Sequence, residues 1–267
     1  MTKQSISDGS TYSKTHKIAF DEAAKAYKVP EKVIAAVIGI ETTFGKVTLR
    51  RTAVQSLSTL AFEYPRRAAY FRGELESLLL LAHKQEVDPL YYIGSYTGAV
   101  CIPQFMPSNM IKYGKDGDVE EIIDIVNSHA DAIHSVVNYL RMPGWQDGKS
   151  TVTLVVLEKE LADTEFTANI CAVNGKRTVK QLKALGVKIP DQYKDDEKGF
   201  LVRLEEEDED GNFQPAVFFE NACPIFKYNR SLKYTAAISL LADAFICLLY
   251  PSPRPRDLST SRLPSSA

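Results

Sequence analysis

Residues Val33–Gly45, VIAAVIGIETTFG, form an apolar run that ends in one carboxylate, Glu41. As a helix, the run puts Ile34, Val37, Ile38 and Glu41 on one face at i, i+3, i+4, i+7 spacing. Val33, Ala36 and Ile40 make the opposite side apolar too, so the helix is expected to be buried nearly all round. An unpaired carboxylate in such a place is costly, and burial raises its pKa until the proton stays on near neutrality. A protonated Glu at the wall of a cleft is what a general acid must be. A Glu at a helix C-terminus, bonded to nearby backbone or to an arginine, satisfies the same pattern. The pattern alone leaves both readings open.

A chain of 267 residues is long enough for one large domain or two small ones. Apolar residues at 45% and charged residues at 25% are ordinary for a soluble globular protein. A net charge of -2 with no basic block lacks the electrostatic footprint of a nucleic-acid binder. No apolar stretch approaches the roughly 20 residues of a transmembrane helix, and residues 1–17 lack the apolar segment of a signal peptide. Cys101, Cys171, Cys223 and Cys247 fit neither a C-x-x-C metal pattern nor a dense disulfide framework, and read as mostly buried thiols.

Residues 1–17 are polar and expected to be poorly ordered. Helices are expected over 18–27, from Pro30 through 33–45, and over 53–62, 65–85, 108–113 and 130–140. Arg66 and Arg67 fall in the first turn of the 65–85 helix, the unfavourable end of its dipole for cations. They either meet an anionic group or point into water. From residue 150 the texture changes: TVTLVV, FLVRLEEE and PAVFFE are strand-like, with a helical turn near 178–185 and a charged hairpin loop at 205–211. Residues 150–222 therefore read as a small α+β insertion between a core at 18–149 and its return at 223–246, with a helical pattern over 231–249. Residues 247–267 are rich in Pro, Ser and Arg and are expected to be an unstructured tail, closer to cloning adapter than to native sequence.

The segments GIETTFG, LAFEYPRRAAYFRGELE, GSYTGAVCIPQFMPS and FKYNRSLKYTAAISLLAD, in that order, resemble the membrane-bound lytic murein transglycosylase B family over roughly residues 18–246. The ET-x-x-G element alone occurs in other lysozyme-like glycosidases; its spacing to YPRR and QFMPS carries the resemblance.

The resemblance implies a mainly α fold, a lysozyme-like helical core with a small α+β insertion. It also implies cleavage of the β-1,4 bond between N-acetylmuramic acid and N-acetylglucosamine in peptidoglycan. The product would end in 1,6-anhydromuramic acid, because the sugar's own C6 hydroxyl displaces the intermediate. Most glycosidases need two carboxylates; one suffices where the substrate's acetamido group stabilises the cation-like centre. Glu41 would then be acid first and base second.

Residue by residue, the resemblance implies that Ser95 of GSYTG contacts the catalytic carboxyl and that Tyr234 orients it. It implies that Gln104 and Asn229 hold sugar groups by hydrogen bonds, that Tyr139 and Tyr228 stack on sugar rings, and that Arg66 and Arg67 line the cleft. The alternative reading of Tyr139 and Tyr228 is as core residues, and that of Arg67 is as a surface ion pair.

The chain departs from the family pattern in two places. Cys101, Ile102 and Pro103 stand where a small, Gly-containing stretch is usual, and Pro103 removes a backbone N–H. The acidic loop Asp116–Asp131 aligns with a calcium-binding loop of some members. Asp116, Asp118, Glu120 and Asp131 are the candidate ligands, but Glu121 replaces the glycine and Asn127 the closing Glu. A solvated loop is expected, with no cofactor required. A monomer is expected, in the periplasm where the family works, although no export signal is present; a truncated start would account for that. A peptidoglycan-binding module without activity and a lysozyme-type hydrolase are the alternatives. The hydrolase needs a second carboxylate, and Glu63 and Asp88 are the loop carboxylates near the motifs.

Overall fold

A computed structural model of the chain describes residues 2–205 and 213–249. Most of the expected hairpin loop, 206–212, and the expected tail from 250 onward lie outside the described residues.

The first half is helical. Helices α1 (Lys3–Thr15), α2 (Lys17–Tyr27) and α3 (Glu31–Thr42) are followed by strand β1 (Arg51–Thr52) and α4 (Ala53–Glu63). Then come α5 (Ala68–Lys84), strand β2 (Ile93–Gly94), α6 (Pro107–Tyr113) and α7 (His129–Arg141). Pro30 precedes α3 and, with no N–H to leave unpaired, suits a helix start. The long helix expected over 65–85 is split: Pro65–Arg67 make one 3-10 turn, and the α-helix begins at Ala68.

The polar N-terminus is ordered, contrary to the reading of its sequence. Thr2 caps α1 by accepting from Ser5 N–H. Tyr12 is buried and its Oη bonds His129 Nδ1 at 2.8 Å. Gly9 lets Phe245 pack directly on the helix, since a Cβ there would lie 2.3 Å from the ring.

Residues 152–219 build the α+β insertion. Strands β3 (Val152–Leu154), β4 (Val156–Leu157), β5 (Arg177–Thr178), β6 (Val187–Lys188), β7 (Lys198–Glu205) and β8 (Phe213–Phe219) surround the short helix α8 (Val179–Ala184). One antiparallel sheet has the order β3-β8-β7-β5, and β4 pairs separately with β6, so the TVTLVV run divides between two sheets. Along β7 and β8, Phe200, Val202, Ala216 and Phe218 face one cluster, while Leu201, Val217 and Phe219 face the other. The first cluster also contains Ala222 and Ala236. These belong to α9 (Ala222–Tyr228) and α10 (Leu232–Leu249), the helices through which the chain returns to the core.

Two hydrophobic clusters hold the helical part. One is formed by α1, α2, α3, α7 and α10, the other by α4, α5, α6 and the loops between them. Tyr228 packs against both. At the base of the insertion Asn221 is fully buried. Its side chain donates to the carbonyls of Gln146 and Lys149 at 2.7 Å each and accepts from Gln146 N–H at 2.8 Å.

Cys171 and Cys223 form a disulfide across 52 residues, joining the insertion to the first turns of α9. This corrects the reading of the cysteines as mostly free; a spacing of this size carries no pairing signal. Cys101 is a free, buried thiol. Replacing Cys171 and Cys223 by Ser is expected to lower unfolding stability by about 2–4 kcal/mol. The check is the urea midpoint of the two proteins, and an unchanged midpoint counts against the stabilising role.

Candidate active site

Glu41 lies in the last turn of α3. Val33 to Ile38 are at most 2% exposed, as the apolar run predicts, but Ile40 is 38% exposed, so the helix is not buried all round. The helix ends at Thr42, earlier than the run suggests, because Thr43 (φ 51°), Phe44 (φ 62°) and Gly45 (φ 78°) all turn left-handed. Phe44 then folds back onto α3, where Gly39 leaves it room; a Cβ at Gly39 would lie 2.6 Å from its ring.

One oxygen of Glu41 accepts a 2.6 Å hydrogen bond from Tyr234 Oη, across 193 residues of sequence. Burial pushes the Glu41 carboxyl up from 4.5 to about 7, and the Tyr234 bond pulls it partly back. Tyr234 is itself raised well above the usual phenol range, first by burial and then by the Glu41 charge, so it remains a donor. Among the described residues no carboxylate contributes to the Glu41 shift. Glu63 is exposed and Asp88 caps the Leu90 amide at 2.8 Å. Glu41 is a solitary acid.

The opposing wall is the 101–104 loop. Thr42 Oγ1 donates to the Ile102 carbonyl at 2.9 Å and accepts from Gly45 N–H at 3.0 Å, tying the end of α3 to that wall. The amides of Cys101, Ile102 and Gln104 bond the carbonyls of Ile93, Ile125 and Cys101 at 3.0, 3.3 and 3.2 Å. The wall therefore turns its amides inward, and an N–H missing at Pro103 takes nothing from that pattern. Pro103 instead offers its carbonyl to Tyr228 Oη at 2.5 Å. Burial pushes the Cys101 thiol up to about 12.

The other expected site residues divide. Tyr228 is half-buried and lies nearly parallel to Tyr234, with ring centroids 6.4 Å apart at 15°. Asn229 ends α9, is exposed, and bonds nothing with its side chain among the described residues. Tyr139 is a correction: it is only 7% exposed, packs on Phe105, Tyr113 and Tyr228, and donates to the Lys227 carbonyl at 2.6 Å. It has no free face for a sugar ring and acts as a buttress.

Ser95 does not bond Glu41. Its Oγ shares a 2.9 Å bond with Thr97 and accepts from Ala99 N–H at 3.2 Å, because the 95–99 turn curls over its own hydroxyl. Gly98 (φ 81°) permits that turn and touches Leu57. Gln104 (φ 51°) donates its side-chain amide to the Cys101 carbonyl at 2.8 Å. Arg66 and Arg67 are exposed in the 3-10 turn, with the Arg67 guanidinium 4.5 Å above the Tyr70 ring. Neither bonds Glu41 or pairs with a carboxylate among the described residues.

Two supporting groups escape the motif reading. Thr42 is one. The other is Glu74, 5% exposed on α5, which accepts from the N–H and Oγ of Ser108 at 3.0 and 2.8 Å. It caps α6 and fixes the Ser that ends QFMPS. A Glu between Phe71 and Leu78 on the core stripe of a predicted helix was the available signal.

In the acidic loop, Asp116, Asp118 and Asp131 bring carboxylate oxygens within 4.8 Å of one another. Asp116 already accepts from the amides of Asp118, Val119 and Glu121 at 3.2, 2.6 and 2.8 Å. Asp131 is 1% exposed and accepts from Gly117 and Asp124 N–H at 2.8 and 2.5 Å. Glu120 is exposed and outside the cluster, and the Asn127 amide donates to Tyr91 and Asp124 at 2.6 and 3.2 Å. Calcium takes 6–8 oxygens, closed in such loops by a bidentate Glu. Three carboxylates are gathered here, with Asn127 at the position where such a loop would close.

A family model described as the transglycosylase SLT domain matches residues 1–243. The membrane-bound lytic murein transglycosylase B of Escherichia coli K12 is 32% identical over 244 residues, 91% of this chain; the chain spans 64% of that relative's length. Soluble lytic transglycosylase SltB1 from Pseudomonas aeruginosa superposes with a TM-score of 0.82 at 35% identity, covering 93% of this chain and 81% of its own. Escherichia coli Slt35 in complex with bulgecin A gives 0.78 at 31% identity, over 93% and 76%. The same protein in complex with calcium gives 0.75. The helical core is the lysozyme-like one of these lytic transglycosylases. On a match that runs through nearly all of the helices and the insertion together, this chain belongs to the transglycosylase SLT domain family.

Proposed function

We propose that the chain is a lytic transglycosylase. It cleaves the β-1,4 bond between N-acetylmuramic acid and N-acetylglucosamine and leaves 1,6-anhydromuramic acid ends. The observation that carries this reading is the solitary Glu41, held at 2.6 Å by Tyr234 with its pKa near 7. An acid poised there donates its proton to the leaving oxygen and takes one back from the C6 hydroxyl, so one group serves both steps. A hydrolase of lysozyme type needs a second carboxylate to stabilise the sugar cation or activate water, and no carboxylate bears on Glu41 among the described residues. Asn229, Tyr228, Gln104, Ser95 and the Arg66–Arg67 pair are the substrate-binding groups of this reading. The disulfide suits an oxidising compartment, in keeping with a periplasmic setting. No helix of the described residues is long and apolar enough to cross a membrane.

Glu41→Gln is expected to lose activity by at least about 100-fold. The muropeptides released from purified peptidoglycan are read by mass spectrometry: anhydro ends that vanish in the variant support the proposal, whereas reducing ends from the wild type would overturn it.

The sign of the pH dependence follows from the raised carboxyl. The folded protein holds the Glu41 proton up to about 7, above its ordinary value of 4.5. Activity is therefore expected to fall as pH rises through 7, and Glu41→Gln to gain stability over wild type progressively from about pH 4.5 to about pH 7 and to keep that gain above it. Tyr234→Phe removes the bond that lowers the carboxyl, so the alkaline limb moves to higher pH while kcat falls by about 10- to 100-fold. A pH–rate profile of that variant is the check; a limb that stays in place removes Tyr234 from the tuning.

Removing divalent cations with EDTA is expected to leave both activity and thermal midpoint unchanged within about 1 °C. A midpoint that climbs on adding calcium would show that the 116–131 loop is a cation site after all.

A further inference from the structure

Beside the turn that joins α9 to α10 lies an open groove of about 610 Å³, walled by the insertion on the other side. Its charged lining among the described residues is Arg203, Arg230 and Lys233 with one carboxylate, Asp163. We propose that this groove receives the carboxylate-bearing peptide carried by the muramic acid, with Arg230 as the residue that reads it. The inference rests on the cleft at Glu41 being the glycan site.

The placement comes from the turn itself. Asn229, Arg230 and Ser231 are consecutive, and Ser231 N–H closes on the Asn229 carbonyl at 2.7 Å. Ser231 Oγ then accepts from Tyr234 N–H at 3.2 Å, so one short segment carries Asn229, the groove cation and the partner of Glu41. Arg230 is also close enough to Tyr139 for its charge to act on that phenol. Groove and cleft are thus neighbours across a single turn.

The cations differ in availability. Arg203 is held flat between Phe166 and Phe213, at 4.2 and 4.6 Å, and pairs with Asp163 at 2.6 Å. Its Nε is buried without a hydrogen-bond partner among the described residues, so Arg203 serves as a fixed part of the wall. Lys233 has an interaction of its own. Arg230 is exposed and pairs with no carboxylate among the described residues. A guanidinium in that position suits a carboxylate, which it meets with two parallel N–H donors. A neutral sugar gains little from such a guanidinium. A peptide projecting from the sugar held at Asn229 is the anionic part of the substrate within reach.

The test is calorimetric titration of the full chain carrying Glu41→Gln, so that nothing turns over. The probes are N-acetylglucosaminyl-N-acetylmuramyl tetrapeptide and the same compound with its peptide carboxylates amidated. Amidation is expected to weaken binding by about tenfold. Adding Arg230→Gln should weaken the acidic probe by a similar factor and bring the two probes to equal affinity, and Arg230→Lys should restore part of the difference. Equal affinities in the parent protein, or a loss from Arg230→Gln that is the same for both probes, overturns the proposal. Because the readout is binding, wild type that yields no anhydro ends would sink the lytic reading and leave a carboxylate-dependent affinity still measurable.

Discussion

A carboxyl that the fold partly dehydrates, and then ties down with one phenol, sets the terms for everything around it. Glu41 cannot ionise freely at the end of an apolar helix, and no cation among the described residues pairs with it, so it holds its proton near neutrality. Tyr234 prevents the opposite failure, an acid too reluctant to let go. The two come from α3 and α10, helices that share the larger hydrophobic cluster. The tuning of the acid is therefore inseparable from the packing of that cluster: a shift of α10 by a fraction of an ångström lengthens the bond at once.

The rest of the site is arranged to hold that pair still. Tyr228 packs against both hydrophobic clusters and donates to the Pro103 carbonyl, while Thr42 donates to Ile102 one residue earlier. Two hydroxyls thus fasten the wall to α3 and to α9. Tyr139 and Phe105 fill the space behind them. Glu74 does the same for α6 through Ser108. These are interior polar groups with every bond made, which makes them rigid supports instead of liabilities.

Much of this was legible in the sequence. The apolar run to Glu41 demanded a buried helix, and the 3.6-residue spacing placed the carboxyl correctly. The alternation in FLVRLEEE and PAVFFE marked paired strands facing two cores. What the sequence hid were features set by tertiary contact. Helix α1 looked disordered because it docks through a few residues, Gly9 against Phe245 and Tyr12 against His129, which leave no apolar stripe. The Cys171–Cys223 bond joins residues whose spacing says nothing. Tyr139 reads the same as a cleft platform or a core ring, since both sit on the apolar side of α7. Ser95 sits in the motif as expected, yet local turn chemistry in the 95–99 segment captured its hydroxyl.

The left-handed residues have a consequence for how firmly the surroundings of Glu41 are set. Thr43 and Phe44 on one side of Glu41, and Cys101 and Gln104 on the other, hold a backbone conformation that side chains disfavour, at a cost of order 1–3 kcal/mol each. Such conformations persist only where the surrounding structure over-determines them. Both flanks of the acid are fixed jaws. The wall beside the acid is tied to α3 by the Thr42–Ile102 bond, so the carboxyl meets whatever enters on a geometry that the fold sets in advance.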